Sequence, residues 1–283
     1  MNFYITGEQI QELCDVYCGL AEDFCYNPRI LAQPEKHFDL SRRPTLWNNP
    51  PLVFCYAHRL REFRPWLDAA TNPLILVTHN SDENITGSYA DIVDHPRVRA
   101  MYSQNVLYDH PRLFCLPIGI ANSMWGHGDL ATLSAIANRR IAKTRGFYFY
   151  FGIGTNYTDR TRCRAECEKK GLIFGTPLPH AEYLESLASY KYAICPAGNG
   201  IDSHRLWECL YLGVTPIMLR NTFTEKFAAA FPCILLDSWE DLDVHKCLAD
   251  WKPLPPAETV PALRLDYVRE CLVASKNIWC IHS

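Results

Sequence analysis

Short, uninterrupted apolar runs recur along the chain and alternate with longer amphipathic stretches, and this alternation restricts the fold more than any other feature. In the first half the runs occupy residues 52–56, 74–77 and 113–116. Strands of a parallel sheet that is covered on both faces have this pattern, because neither face meets water. In the second half, strands are predicted at 147–151, 171–174, 191–195, 214–218 and 233–236. The alternation therefore predicts βα units and an α/β fold.

The helices between the runs divide the chain into two Rossmann-like domains. A helix is predicted at 129–145, and the domain boundary is placed at its end, where Gly146 opens the next strand. The N-terminal domain then spans 1–145 and the C-terminal domain spans 146–261, as two doubly wound domains that face each other across a cleft. A last helix within 262–283 is expected to pack back on the N-terminal domain. The other helices of the second half are predicted at 160–170, 180–190, 203–212 and 222–230.

The first element is predicted to be one long helix. Thr6 and Gln9 have the spacing of a capping box, and Asn27 followed by Pro28 is a stop signal. Between them, apolar side chains recur three or four positions apart, at Ile10, Leu13, Tyr17, Leu20 and Phe24. This spacing places them on one helix face, which is expected to pack in the core.

Charge and cysteine content exclude several classes of protein. The chain has 28 Lys and Arg against 31 Asp and Glu, and this formal charge of −3 predicts no nucleic-acid partner and no anionic membrane surface. The N-terminal segment carries acidic residues early and has no long apolar run, so neither a signal peptide nor a membrane span is expected. Many of the 13 cysteines lie in apolar segments, where a thiol acts as a small hydrophobic group. Together these features predict a cytoplasmic protein.

The most informative segment is 190–218, which is predicted to form a strand, a glycine loop, a helix and a strand. Gly198 and Gly200 let the backbone approach a ligand closely, and Asp202 or Ser203 is placed to cap the helix. The N–H groups at such a helix start attract anions, and a nucleotide diphosphate fits there. The residues predicted to bind it are Pro196, Gly198, Asn199, Gly200, Ser203, His204 and Arg205.

Glu208 lies four residues after His204 and therefore shares its helix face. This spacing lets the carboxylate accept hydrogen bonds from a ribose while His204 and Arg205 hold the phosphates. The structural alternative is a solvated helix with an ion pair between Arg205 and Glu208. The glycine loop favours the ligand site, because a loop of this kind is costly unless something approaches it closely.

A second phosphate contact is predicted after the strand 147–151. The loop there contains two glycines and leads through Thr155 and Asn156 into a helix that carries Arg160. It lacks the third glycine of a dinucleotide fingerprint, so NAD binding is not expected. Thr155, Asn156 and Arg160 are instead predicted to contact the donor, with an ordinary strand-to-helix turn as the alternative.

Residues 194–217, ICPAGNGIDSHRLWECLYLGVTPI, resemble the nucleotide-sugar motif of exostosin-like glycosyltransferases, in which a glycine-rich loop precedes Arg-Leu-x-Glu. Together with residues 77–82 and 116–125, the motif is similar to that of the small transferases, xylosyltransferases among them, that large viruses of algae use on capsid glycans. The resemblance implies a GT-B fold, an inverting mechanism and a UDP-linked donor sugar. It also implies that Arg205 contacts the diphosphate and Glu208 the ribose.

The same resemblance implies a division of labour between the domains. The C-terminal domain is expected to bind the nucleotide sugar, and the N-terminal domain is expected to lie on the acceptor side. The reaction it implies is the transfer of a sugar, xylose from UDP-xylose, to a hydroxyl of a glycan acceptor such as a viral capsid-protein N-glycan. A viral protein of this family is expected in the host cytoplasm.

Acceptor-side residues are predicted near the end of the strand 74–77, because strand ends line the ligand crevice in open α/β sheets. An inverting transfer needs one base near the acceptor hydroxyl, and Asp82 is the first candidate and His79 the second. Trp125 and His127 share a later loop, where a tryptophan can stack on a sugar ring. The structural alternatives are a turn-capping Asp, a histidine satisfied by its neighbours and a Trp that anchors its own loop.

No metal or other cofactor is expected. Asp241 and Asp243 match the acidic pair that binds Mn²⁺ in the other large glycosyltransferase fold, but they lie at a predicted helix start, where acids favour the helix dipole. The helix that carries His204 and Arg205 is expected to stabilise the departing diphosphate instead. Two other functions stay open, namely a nucleotide-sugar epimerase or hydrolase of the same fold and a noncatalytic glycan-binding protein.

Overall fold

The computed structural model describes residues 3–277 and divides the chain into two compact units. The first unit runs to Gly128 and resumes at Arg264, and the second spans Asp129–Leu263. This division differs from the predicted boundary at 145. The helix Leu130–Asn138 belongs to the second unit because it packs on the helix His180–Ala188, and the following Arg139 forms an ion pair of 2.6 Å with Glu185 of that helix.

The first unit contains a six-stranded sheet in which every neighbouring pair of strands is parallel. Its order is β2-β1-β3-β4-β5-β6, so the chain changes direction across the sheet after β2. This is a doubly wound order, as in other open α/β sheets. The strands are β1 Val16–Gly19, β2 His37–Asp39, β3 Leu52–Tyr56, β4 Leu74–His79, β5 Val98–Ser103 and β6 Leu113–Cys115.

Helices cover both faces of this sheet. They are α1 Gly7–Glu12, α2 Ala21–Phe24, α3 Pro28–Leu31, α4 Leu60–Ala69, α5 Ala90–Val93 and α12 Leu265–Asn277. Every residue of β3 and β4 is buried, as predicted from their apolar runs. Val53 and Leu76 enter one core cluster, whereas Phe54 and Val77 enter another, which includes Leu272 of α12. The successive residues of a strand thus serve two opposite cores.

The prediction of one long first helix is wrong. The capping box is present, because Thr6 Oγ1 accepts the Gln9 N–H at 3.3 Å and Gln9 Oε1 accepts the Thr6 N–H at 3.0 Å. The helix nevertheless ends at Glu12, and β1 follows it. Tyr17 and Cys18 are fully buried where β1 lies between β2 and β3. Pairing with strands that are distant in sequence has overridden the local helical periodicity.

The second unit contains a four-stranded parallel sheet of order β10-β9-β8-β7. Its strands are β7 Arg145–Tyr148, β8 Tyr190–Ile194, β9 Thr215–Leu219 and β10 Ile234–Leu236. Its helices are α6 Leu130–Asn138, α7 Tyr157–Lys169, α8 His180–Ala188, α9 His204–Tyr211, α10 Thr222–Ala230 and α11 Val244–Asp250. The strand predicted at 171–174 does not form. Phe174 instead packs edge-on against Phe149 and Phe151.

The parallel sheets confirm the α/β class. Both units are compatible with Rossmann-like domains. In the first unit helices lie between β1 and β2, between β3 and β4 and between β4 and β5, and in the second unit a helix lies between every two successive strands. Within residues 3–277, no helix is both long enough and apolar enough to cross a membrane.

Candidate functional site

The carboxyl ends of β7, β8 and β9 meet at one edge of the second sheet, because the strands are parallel. This is the edge at which open α/β sheets bind ligands. A cavity of about 200 Å³ opens there between the loops that follow β8 and β9. Its lining includes Asp159, Pro196, Ala197, Ile201, Asn221 and Thr224. The predicted glycine loop, with buried Pro196 and Gly200 and exposed Asn199, therefore borders a real cavity.

Gly198 makes room for a guanidinium group. The Gly198 N–H donates to the Gly200 carbonyl at 3.0 Å, so the loop turns tightly. A Cβ atom at Gly198 would lie 3.2 Å from Arg160 Nη2, which is closer than an ordinary van der Waals contact. The close approach that the glycines were predicted to allow is thus made by a side chain of the same unit.

Arg160 joins the loops after β7 and β8. Its Nε donates to the Ala197 carbonyl at 2.8 Å, and its Nη1 donates to the Gly152 carbonyl at 2.5 Å. Across the described part of the chain, no hydrogen bond uses Nη2. Arg160 is half-buried, and its two backbone bonds hold the guanidinium in one orientation at the carboxyl edge of the sheet.

Arg205 is held beside it by the other side of the β7 loop. Its Nη1 donates to the Tyr150 carbonyl at 2.6 Å and its Nε to the Tyr183 hydroxyl at 3.4 Å. The rings of Tyr148 and Tyr183 lie 5.7 and 5.6 Å from its guanidinium carbon. Although burial acts to lower the pKa of Arg205, the neighbouring Tyr183 and Cys195 raise it above its usual value.

The two guanidinium groups form a concentration of positive charge. Burial and the charge of Arg205 lower the pKa of Arg160 to about 10. Among the ion pairs within residues 3–277, none joins either arginine to a carboxylate within 4.0 Å. Two oriented guanidinium groups that repel each other at a sheet edge are suited to bind an anion, and a diphosphate carries the oxygens that arginine binds best.

Thr155 and Asn156 lie at the same edge, as the sequence predicts. Asn156 is the N-cap of α7, and its Nδ2 donates to the Gly198 carbonyl at 3.3 Å. The exposed Thr155 hydroxyl donates to the Gly152 carbonyl at 3.4 Å. The turn Ile153–Asn156 therefore contacts the glycine loop, so the two segments predicted to bind phosphate are brought together.

The start of α9 differs in detail from the sequence prediction. Ser203 occupies the N-cap position, but its side chain makes no capping hydrogen bond. Asp202 is buried and accepts a hydrogen bond of 2.9 Å from the Trp207 indole nitrogen. His204 begins the helix and is half-buried. At the other end, Gly213 has φ +68°, the left-handed conformation in which a glycine commonly ends a helix.

Glu208 is buried, with 5% of its surface exposed. One carboxylate oxygen accepts a hydrogen bond from the Tyr183 hydroxyl, and the other lies 3.8 Å from His180 Nε2. Burial acts to raise the pKa of Glu208, but the nearby His180, the hydrogen bond from Tyr183 and the charge of Arg205 hold it below its usual value. The alternative of an Arg205–Glu208 ion pair does not occur among the described residues. Nothing in the sequence singled out Tyr183.

In the first unit, a buried polar network lies at the carboxyl ends of β4 and β5. Asn80 and Asn105 follow these strands with φ of 56° and 54°, in the left-handed region. Such strained residues cluster at functional sites. Asn80 Nδ2 donates to the buried Gln11 at 2.9 Å, and a Cβ atom at Gly7 would lie only 2.0 Å from Asn80 Oδ1. The close approach between α1 and the end of β4 was not predicted from the sequence.

The structure places His79 and Asp82 differently within this network. His79 is buried, and its Nδ1 accepts the Asn80 N–H at 2.8 Å while its Nε2 lies 2.9 Å from the Pro117 carbonyl. A carbonyl can only accept, so Nε2 carries a proton in the contact with Pro117. Asp82 is exposed. The preceding Ser81 carbonyl accepts hydrogen bonds from the side chains of Gln104 and Asn105, which fix the start of the loop that carries Asp82.

Trp125 and His127 form an exposed aromatic pair. Their rings are stacked, with centroids 6.2 Å apart and an interplanar angle of 17°, and 53% of the Trp125 surface is exposed. The loop is anchored next to them, because the buried Glu8 carboxylate accepts hydrogen bonds from the N–H and the hydroxyl of Ser123, at 3.0 and 2.8 Å. Asn122 extends the anchor by donating to Asn80 Oδ1 at 3.1 Å. The loop that carries the Trp125–His127 pair is thus linked to the polar network at the end of β4.

The acidic residues that match a metal-binding pair serve as helix caps. Asp241 Oδ2 accepts the Ser238 N–H at 2.9 Å, and Asp243 Oδ1 accepts the Lys246 N–H at 2.9 Å. Both bonds satisfy donors near helix starts, as expected from the sequence.

Comparison with protein-family models gives no match for this chain, and comparison with curated proteins gives none either. The functional assignment therefore depends on the geometry of the two sheet edges and on the sequence motif.

Proposed function

We propose that this protein is an inverting glycosyltransferase of the GT-B type, which moves a sugar from a nucleotide diphosphate onto a hydroxyl group of a glycan. The observation that carries the proposal is the pair of oriented guanidinium groups, Arg160 and Arg205, beside a cavity at the carboxyl edge of the second sheet. The motif over 194–217 supports a UDP-linked donor, and xylose from UDP-xylose is the sugar proposed.

The donor would bind across the loops of the second unit. Arg160 and Arg205 bind the diphosphate, and the adjacent cavity of about 200 Å³ receives the base. As the bond between the anomeric carbon and the phosphate oxygen breaks, negative charge develops on the diphosphate. Positive groups that are already in place stabilise this charge without reorganising, so the leaving group departs without a metal ion.

The acceptor would bind at the first unit. The exposed Trp125 ring, stacked with His127, offers a face for a sugar ring. The acceptor hydroxyl attacks the anomeric carbon from the side opposite the diphosphate, and its proton passes to Asp82. The two units must face each other across a cleft for this reaction, and that arrangement is part of the proposal. A cytoplasmic location and a viral capsid glycan as acceptor are proposed from the sequence resemblance.

Saturation-transfer NMR with a panel of UDP- and GDP-sugars tests the proposal directly. The expected result is transfer of saturation to UDP-sugars, strongest for UDP-xylose, and formation of a glycoside of inverted anomeric configuration when a glycan acceptor is added. Donor turnover without acceptor would instead indicate the epimerase or hydrolase. Failure of every nucleotide to bind would contradict the proposal.

A glycan-binding protein without catalytic activity is the second candidate, and the exposed Trp125–His127 pair favours it. Such a protein binds glycans but not nucleotides. Calorimetry with UDP therefore separates the two candidates, because only the transferase is expected to release heat on mixing with UDP.

A further inference from the structure

We infer that Glu208 is a positioning residue, which orients Arg205 through the Tyr183 hydroxyl and does not itself touch the donor. The inference rests on the proposed function in so far as Arg205 binds the diphosphate. It assigns to Glu208 a role other than the ribose contact expected from the sequence.

The surroundings of the Glu208 carboxylate are the first observation. Only 6% of the side-chain surface is exposed, and both oxygens face α8. One accepts the Tyr183 hydroxyl proton, and the other lies 3.8 Å from His180 Nε2. A ribose hydroxyl would have to approach an oxygen to about 3 Å to form a hydrogen bond. One oxygen is thus hydrogen-bonded within the unit, and the burial of the side chain leaves little room for a ribose hydroxyl at the other.

The Tyr183 hydroxyl links Glu208 to Arg205. A phenol has a single proton to donate, and here Glu208 accepts it. The hydroxyl oxygen therefore presents its lone pairs to Arg205, whose Nε donates to it at 3.4 Å. An ionised carboxylate fixes this direction more strongly than a neutral acceptor would. The three groups form a short chain that runs from the buried face of α9 through α8 to the guanidinium.

This chain determines which way Arg205 points. Its Nε is directed to Tyr183 and its Nη1 to the Tyr150 carbonyl, and the ring of Tyr148 lies beside it. Over residues 3–277, no hydrogen bond involves Nη2. A planar guanidinium that is fixed at Nε and Nη1 has its remaining donor fixed as well, so loss of the Tyr183 contact would misdirect the group that binds the anion.

Binding of two probes distinguishes the positioning role from a ribose contact. UDP contains a ribose and a diphosphate, whereas inorganic pyrophosphate contains only the phosphates. We propose calorimetry with both probes on the full chain, as wild type, as Tyr183→Phe, as Glu208→Leu and as the double variant. Tyr183→Phe changes no charge and retains the ring, so it removes only the link.

The positioning role predicts that each single variant lowers the affinities for UDP and for pyrophosphate by the same factor, roughly threefold to tenfold. The double variant should bind no more weakly than the weaker single variant, because both substitutions break one chain. Weaker UDP binding with unchanged pyrophosphate binding would overturn the inference and leave the proposed function intact. If the wild type bound pyrophosphate but not UDP, the proposed function would fail, and the pyrophosphate series alone would judge the inference.

A matched control separates positioning from folding. Tyr192 is also buried in the second unit, and its hydroxyl donates to the Cys247 carbonyl. Tyr192→Phe should leave both affinities unchanged. If Tyr192→Phe lowered both affinities as much as Tyr183→Phe does, the effect would be general to the unit and the inference would be wrong. Thermal unfolding of each variant checks that it is folded. If Glu208→Leu does not fold, Tyr183→Phe alone tests the inference.

Discussion

Arg160 and Arg205 are like-charged neighbours at one edge of the second sheet, and burial together with the charge of Arg205 lowers the pKa of Arg160 to about 10. Each guanidinium is held by backbone carbonyls of the same loop, that of Gly152 for Arg160 and that of Tyr150 for Arg205. Two like charges that are fixed in this way cost free energy until an anion lies between them. The arrangement is therefore explained by a ligand more readily than by stability.

Removal of either arginine should weaken binding of the nucleotide-sugar donor. We expect Arg160→Met and Arg205→Met each to reduce UDP affinity tenfold to a hundredfold, because a hydrogen bond to a charged group contributes about 1.5–3 kcal/mol. Arg162→Met is the matched control on the same helix, since Arg162 is exposed and lies 3.6 Å from Glu240. Calorimetry with UDP measures all three. Equal UDP affinities in the three variants would show that the donor does not bind at this edge of the sheet.

Gly198→Ala should weaken binding of the nucleotide sugar without removing any hydrogen-bonding group of the protein. The added Cβ lies 3.2 Å from Arg160 Nη2, so the guanidinium must shift by a few tenths of an ångström. We expect a loss of roughly threefold to tenfold in UDP affinity, because a misplaced group loses part of its hydrogen-bond energy. Gly87→Ala is the control, since a Cβ there meets nothing within 4 Å. The hypothesis fails if the two variants bind UDP equally well.

The donor segment could be predicted because its signals are local. A strand, a glycine loop, a helix and a glycine with φ +68° at Gly213 follow one another within 30 residues. Tyr183 could not be predicted, because its contact with Glu208 joins residues 25 positions apart on separate helices. The strand β1 was mistaken for helix for a related reason. Tyr17 satisfies a helical period and a strand period equally, and only its pairing with β2 and β3 decides between them.

Asp82→Asn should lower turnover strongly and leave donor binding unchanged. If Asp82 takes the acceptor proton, the amide lacks the required basicity and the rate should fall about 10²- to 10⁴-fold. The UDP affinity should not change, because Asp82 lies in the first unit. Rates with saturating donor and acceptor measure the effect. Near-normal turnover in Asp82→Asn would place the base elsewhere.

His79→Ala is expected to act on stability and not on the proton transfer. The substitution leaves the half-buried Pro117 carbonyl and the Asn80 N–H without their present partners, which should cost about 1–3 kcal/mol of unfolding free energy. Denaturant unfolding measures this loss. If His79→Ala kept full stability but lost turnover, His79 would be the base in place of Asp82.

Activity should survive excess EDTA. In the proposed mechanism Arg160 and Arg205 stabilise the negative charge on the departing diphosphate. Asp241 and Asp243 instead accept hydrogen bonds from backbone N–H groups at helix starts. Turnover measured before and after EDTA treatment should agree. Loss of activity with EDTA and its recovery on addition of Mn²⁺ alone would show that the reaction needs a metal ion.

Acid should remove a specific contribution to stability at Asp23. This carboxylate accepts hydrogen bonds from the Leu20 N–H at 2.7 Å, from Arg59 Nε at 2.9 Å and from His58 Nε2 at 3.0 Å. Burial acts to raise the pKa of Asp23, but these hydrogen bonds and the charge of Arg59 hold it below its usual value.

A carboxylate with a lowered pKa stabilises the folded state above the pKa of the unfolded chain, about 3.9, and that contribution is lost as the pH falls through the folded pKa. We therefore expect Asp23→Asn to lower the unfolding free energy by about 2 kcal/mol at pH 7, with a difference from wild type that shrinks below about pH 4. Asp68→Asn is the control, because Asp68 is exposed and its ion pair with Arg64 should contribute less than about 1 kcal/mol. Urea unfolding at a series of pH values measures both. A difference for Asp23→Asn that stayed constant down to pH 2 would show that the charge of Asp23 is not what stabilises this part of the fold.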